Sequence, residues 1–257
     1  MVSFQVMLSF LVLPILVARS YPCNLIDSLS PISDVELLEF SLNLEYLEAG
    51  FFWNGATGGG IDDVDPELAQ GGPPPSHWRT IEGFPRPILN ISKEVFAEVM
   101  DSAFGKSLQP PFDPYVSTIN FLLASYVIPF VGFNGFVGAN PEFKMLVVGL
   151  LGIEACQHTF IQAKLYNWGS LQVHPYGVTV ATFMDHISSL RNKLGNEGPR
   201  DDNLVDIIFG SVLAVERTPQ EILRIVYDGG DEYVSGGFFS RGADGRIAKS
   251  YLKRSFM

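Results

Sequence analysis

Apolar residues recur at helical spacing through most of the chain. From Ser33 to Phe52 they fall three and four apart, and Ser33 with Glu36 stands in the order of a capping box. Ile32 and Leu37 flank that start as a hydrophobic staple. The same signals predict helices near 34–56, 92–104, 114–138, 141–166, 179–194 and 219–227. Ser92 caps the second, and Asp113-Pro114 and Asn140-Pro141 put a cap before a proline at the next two starts. Arg191, Lys193 and then Gly195 close the fifth, and Thr218-Pro219-Gln220-Glu221 opens the last. Between Gly55 and Pro87 glycines and prolines break the pattern, so that stretch reads as loop. No alternation supports a sheet and no repeat is present. The pattern predicts an all-α bundle.

Within the first helix, Glu45 shares a face with Leu38, Leu42, Ala49 and Phe52. A carboxylate on an apolar stripe is neutral, paired or metal-bound, because burying a bare charge is costly. The plainer alternative is an acid at the stripe's edge that reaches water. Bundle helices carrying such acids are how ferritin-like proteins build metal sites.

Two apolar runs raise the question of a membrane. Tyr115–Pro141 carries no charge and is long enough to span one. Asn120, Pro129, Asn134, the glycines and the lack of flanking Lys or Arg favour a buried bundle helix. Residues 1–20 read as a secretory signal, with Leu8–Leu16 as its apolar core and Ala18-Arg19-Ser20 as the cleavage region. The alternative is a buried or anchoring N-terminal helix. With a signal, the mature chain starts near Tyr21, outside the cytoplasm, and Asn90-Ile91-Ser92 becomes a possible glycosylation sequon.

Composition adds little to the fold and more to the partners. The 257 residues are 47% hydrophobic and 18% charged, which suits one globular core. The net charge of −11 leaves no basic footprint for nucleic acid and disfavours strong binding to anionic membranes. From Arg19 to Arg79 no Lys or Arg interrupts a series of acids, a cation-binding or simply solvated face. Cys23 and Cys156 make no disulfide scaffold, and Cys156 is expected as a small buried residue.

Candidate chemistry is sparse. Glu154 and His158 lie one helical turn apart and could chelate a metal. The usual ferritin-like spacing of three lands instead on Gln157, a poor ligand for iron or manganese. A hydrogen-bonded polar pair in the interior explains the same residues. His77, His174 and His186 have no ligand-like spacing with acids, and no nucleophile elbow, phosphate loop or dinucleotide fingerprint occurs. No catalytic residue is assigned.

At this point the chain resembles a known family. Leu38-Glu39-Phe40-Ser41-Leu42-Asn43-Leu44-Glu45-Tyr46-Leu47-Glu48-Ala49 is similar to the first bundle helix of the plant desiccation-related proteins with a ferritin-like domain. Gly71-Gly72-Pro73-Pro74-Pro75, Gly83-Phe84-Pro85-Arg86-Pro87 and Asn120-Phe121-Leu122-Leu123-Ala124-Ser125-Tyr126-Val127-Ile128-Pro129 also match. So do Gly152-Ile153-Glu154-Ala155, the run from Thr218 to Tyr227, and Gly242-Ala243-Asp244-Gly245-Arg246-Ile247-Ala248. The resemblance implies a secreted (cell-wall or apoplastic) or vacuolar plant protein linked to water loss. It further implies a second bundle helix with a Glu-x-x-His pair between the two proline-rich runs. Here only Ser76–Glu82 fills that interval, too short for a bundle helix.

The expectation is therefore an incomplete ferritin-like bundle: a signal over 1–20, a helical domain over 21–200 lacking one helix, and a C-terminal extension over 201–257 with one short helix in a Gly-rich irregular tail. Glu45, Glu154 and His158 form a remnant metal site that binds iron or manganese weakly or not at all. The function leans away from catalysis, toward a protective or structural stress role. The alternatives are a dimetal carboxylate oxidoreductase or metal-sequestering protein, and a shortened inactive isoform. Loss of a helix also predicts an uncovered apolar surface, near Phe51-Phe52 or along Tyr115–Gly138, through which chains self-associate.

Overall fold

The structure, a computed structural model, describes residues 33–59, 84, 86–139, 146–195 and 217–252. The expected signal segment, Ile32 of the staple, Cys23, and the proline-rich interval around His77 lie outside them. Eight helices and one two-stranded hairpin appear among the described residues. In chain order they are α1 (Asp34–Thr57), α2 (Lys93–Phe104), α3 (Thr118–Val127), α4 (Pro129–Ala139), α5 (Leu146–Asn167), β1 (Gln172–Val173), β2 (Val178–Thr179), α6 (Val180–Gly195), α7 (Pro219–Val226) and α8 (Gly245–Tyr251). The protein is all-α in class, as the periodicity predicts.

Local chemistry sets most of the helix ends. Ser33 Oγ accepts the Glu36 N–H, and the Ser33 N–H donates to Glu36 Oε2 at 2.7 Å, which completes the capping box. Thr218 and Glu221 repeat that exchange at α7. Each box satisfies donors that a helix start leaves unpaired.

One expected helix differs. The single helix over 114–138 begins at Thr118 and is interrupted at Pro129. Asp113 does not cap it. Its Oδ1 accepts the Tyr115 N–H in a local turn, while Ser117 Oγ accepts the Asn120 N–H and becomes the cap. Pro129 has no N–H to donate and crowds the residue before it, so the axis breaks there. Thr118–Phe136 is apolar and long enough to cross a membrane, but 83% of it is buried within the protein. Its apolarity is that of a core segment.

The tail also differs. Beyond α7, a second helix, α8, follows Asp244, whose Oδ1 accepts the Gly245 N–H. Gly245 has φ +88°, and a Cβ there would meet Phe84 and Glu39, so glycine suits the position. Asn43, buried on α1, donates to Asp244 O at 3.0 Å and accepts its N–H at 2.7 Å. Arg246 pairs with Glu36 of the capping box. Residues of α7 and α8 share one hydrophobic core with α1, α2, α3 and α6. The described C-terminal residues thus pack into the same core as the bundle helices.

Phe51 and Phe52, near which an uncovered apolar surface was expected, are 0% and 2% exposed. Phe51 stacks on Phe121 at 4.8 Å and packs against Phe96 of α2 at 4.9 Å. The short helix α2 and the start of α3 cover that face. The wall from Phe121 to Val131 is buried too. Instead, the outer side of α5 is open, with Cys156, Phe160 and Tyr166 exposed. Cys156 is thus a surface thiol, not the buried residue expected. It lies on the side of α5 opposite Glu154 and Ile161, which face the core.

Candidate functional site

α4 packs against both α1 and α5, and this three-helix junction holds the acids. Beside it, Phe136 of α4 packs with Leu37 and Leu38 of α1 and Leu150 and Leu151 of α5. Glu45 and Glu48 sit three apart on α1, hence on one side of it. Glu154 comes from α5. Glu45 is 7% exposed, Glu48 0% and Glu154 2%.

Gly132 of α4 marks where they converge. A Cβ there would stand 3.1 Å from Glu48 Oε1 and 3.4 Å from Glu154 Oε2. The two oxygens therefore lie no farther apart than the sum of those distances. Both Glu48 oxygens and Glu154 Oε2 are buried without a hydrogen-bond partner, as is Gln157 Oε1.

Burial and proximity set the protonation of the cluster. Burial pushes the Glu45 carboxyl up to about 7. Glu48 lies well above the usual carboxylate range, by burial and then by the neighbouring Glu45 charge. Glu154 is raised as well, by burial and then by Glu48 and Glu45. Three acids in a dry space cannot all ionise without a compensating cation.

His158 does not join them in the electrostatics of the site. It lies among aromatic rings, parallel to Phe133 at 5.6 Å and next to Phe130 at 4.9 Å. Burial and the positive charge of Arg191 lower its pKa to about 3, against a hydrogen bond with Gln162. No carboxylate is among the groups that shift it. Arg191 is itself buried, 4.0 Å from the Phe130 ring centroid, and donates to Tyr126 O and Ser188 Oγ. Glu154 and His158, one turn apart, thus serve two different environments. Of the residues named from sequence, the structure brings Glu45 and Glu154 together and sets His158 beside a fixed cation.

Glu48 is the residue the sequence reading missed. Its signal was present: Leu44, Phe51 and Phe52 lie four before, three after and four after it, and all three are buried.

A bundle with carboxylates from facing helices at its centre defines the ferritin-like class. The family model for the ferritin-like domain matches residues 33–167, and the chain belongs to that family. It is 47% identical over 241 residues to desiccation-related protein PCC13-62 of Craterostigma plantagineum, covering 75% of this chain and 77% of that protein. It is 40% identical over 268 residues to ferritin-like catalase Nec2 of Nesocodon mauritianus, covering 86% of each. No solved structure matches. Both alignments outrun the part of this chain they occupy. Of 257 residues, 75% is about 193 against 241 aligned, and 86% is about 221 against 268. In each alignment nearly fifty positions therefore stand opposite gaps in this chain.

A dimetal centre of this class takes a Glu from each of two helices and a Glu-x-x-His pair from each of two others. The described residues do not fit that group. Among the described residues two helices contribute acids, α4 offers Gly132, position 157 is Gln, and the His158 pKa is lowered by burial and the Arg191 charge. Among the described residues no three His, Cys, Asp or Glu side chains are arranged to hold one metal ion. What remains is a buried cluster of orphaned oxygens packed closely against Gly132.

Proposed function

We propose that this chain is a stress-associated ferritin-like protein that leaves the cell and acts in a protective or structural role without turnover. The observation that carries this reading is the short ligand set among the described residues: acids from α1 and α5, with the His158 pKa lowered by burial and by the Arg191 charge. The 47% identity to a desiccation-related protein supports the stress association. The signal-like residues 1–20 support export to the cell wall or apoplast, with the vacuole as the alternative destination. The seven residues Ser76–Glu82 between the two proline-rich runs are too few for a bundle helix at 1.5 Å per residue, which supports the absence of one bundle helix. The open side of α5 is where chains would associate in this reading.

A second reading is an enzyme of the dimetal carboxylate class, or a metal-sequestering protein. The 40% identity to a ferritin-like catalase and the orphaned Glu48 and Glu154 oxygens favour it. A third is a shortened inactive isoform, for which the transcript around Arg79 is the direct check. An in-frame exon encoding a helix there would establish it.

The deciding assay uses the purified mature chain with ferrous iron or manganese, following iron oxidation and peroxide breakdown. Rates no higher than free metal support the non-enzymatic reading. Two irons bound per chain, with turnover, would overturn it. Glu154→Ala would then abolish activity rather than change stability alone.

A further inference from the structure

The segment before α2 presents a modification site that neither relative's description mentions. Residues 86–92 run as irregular, extended chain into the cap of α2. Successive side chains of extended backbone point to opposite sides. Leu89 and Ile91 turn inward and pack on the core, next to Gly50. Asn90 and Ser92 therefore share the outward side, with Asn90 half-buried and Ser92 exposed.

The backbone here is pinned from two directions. The Asn90 N–H donates to Phe238 O at 2.8 Å, and Tyr115 Oη donates to Ile91 O at 2.6 Å. Asn90 Oδ1 accepts the Ser92 N–H at 3.2 Å. That bond uses the carbonyl end of the amide, and no bond of Nδ2 appears among the described residues. Asn90-Ile91-Ser92 is the one Asn-x-Ser/Thr sequence in the chain.

We propose that Asn90 carries an N-linked oligosaccharide, a reading that rests on entry of the chain into the secretory route. In the transfer, Nδ2 bonds to the anomeric carbon of a lipid-diphosphate-linked oligosaccharide. The anomeric carbon–phosphate oxygen bond breaks, the lipid diphosphate leaves with the electron pair, and Nδ2 loses one proton. No redox partner is needed. The glycan projects from a face whose inward neighbours, Leu89 and Ile91, are already packed, so it is accommodated without repacking the core.

The test expresses the full chain in a eukaryotic secretory host in two forms. One keeps residues 1–20, and the other replaces them with an established secretory leader. With that leader, the expected product migrates one glycan step more slowly. Peptide N-glycanase reverses the step and converts Asn90 to Asp. Asn90→Asp and Ser92→Asp each abolish the step, and Asp at 92 still caps α2, so fold and sequon are separated. Ser92→Thr keeps both and retains the glycan. An unshifted wild-type chain secreted from the established leader would overturn the proposal. A chain glycosylated behind that leader but retained in the cytoplasm with residues 1–20 would leave the site standing and remove the export reading.

Discussion

Two acids on α1, three turns apart, meet opposite fates. Glu36 accepts bonds from Ser33 and pairs with Arg246 of α8, and the Arg246 guanidinium and the Ser33 cap hold its carboxyl down at about 2. Glu48 lies in the centre with no partner on either oxygen, and burial drives its pKa up. One end of the helix is stitched to the C-terminal segment by complementary groups. The middle holds like charges that only a proton or a cation can relieve. The difference teaches that identical side chains on one helix become a clasp or a site according to what another element brings opposite them.

The clasp end should be the costlier to break. Asn43→Ala removes the bonds to Asp244 and leaves its partly buried N–H and carbonyl without those partners. A loss of about 1–3 kcal/mol for each orphaned group is expected in chemical denaturation. A loss below ~0.5 kcal/mol would show that α8 does not hold α1 through this contact.

The centre should respond in the reverse direction. Glu48→Leu replaces an unpaired buried acid by an apolar residue of similar volume, so the metal-free protein should be as stable or more stable, by up to roughly 1–4 kcal/mol. Destabilisation comparable to Asn43→Ala would mean that Glu48 has a partner in solution.

Titration should separate the two regions. For Glu45, the folded pKa of about 7 exceeds the ordinary carboxyl value of 4.5, so the folded state binds more protons between them. Its stability contribution is fully present below about 4.5 and is lost as pH rises toward 7. Glu36 runs the other way: its contribution is present above the unfolded value and is lost as pH falls through about 2. Melting temperature of the metal-free chain should therefore fall between pH 5 and pH 8, less so in Glu48→Gln. A divalent cation that restores the melting temperature at pH 8 in wild type, but not in Glu48→Gln, would place a cation among the acids.

The smallest effect belongs to Arg246→Gln. The guanidinium is solvent-exposed, so its pair with Glu36 is screened by water and salt. The expected change is a slight loss that disappears at high salt. A large, salt-independent loss would show that the pair, rather than Asn43, is the main clasp.

Caps and periodicity along the chain were sufficient for the all-α class, the two capping boxes and the existence of α1, α2, α5, α6 and α7. Each depends on residues three or four apart, a distance over which neighbouring side chains meet whatever the rest of the protein does. The same locality explains the acid on the apolar stripe at Glu45 and the departure at Gln157. It also explains the misses. Asp113-Pro114 carries the local start signal, but the Asn120 N–H bonds to Ser117 Oγ, so Ser117 is the cap. α8 is short and opens on a glycine, so its pattern was too weak to read. The cover over Phe51, the convergence of Glu48 with Glu154 at Gly132, and the cation beside His158 involve helices far apart in sequence. Helix crossings are set by how whole surfaces interlock, and no window of local sequence contains that information.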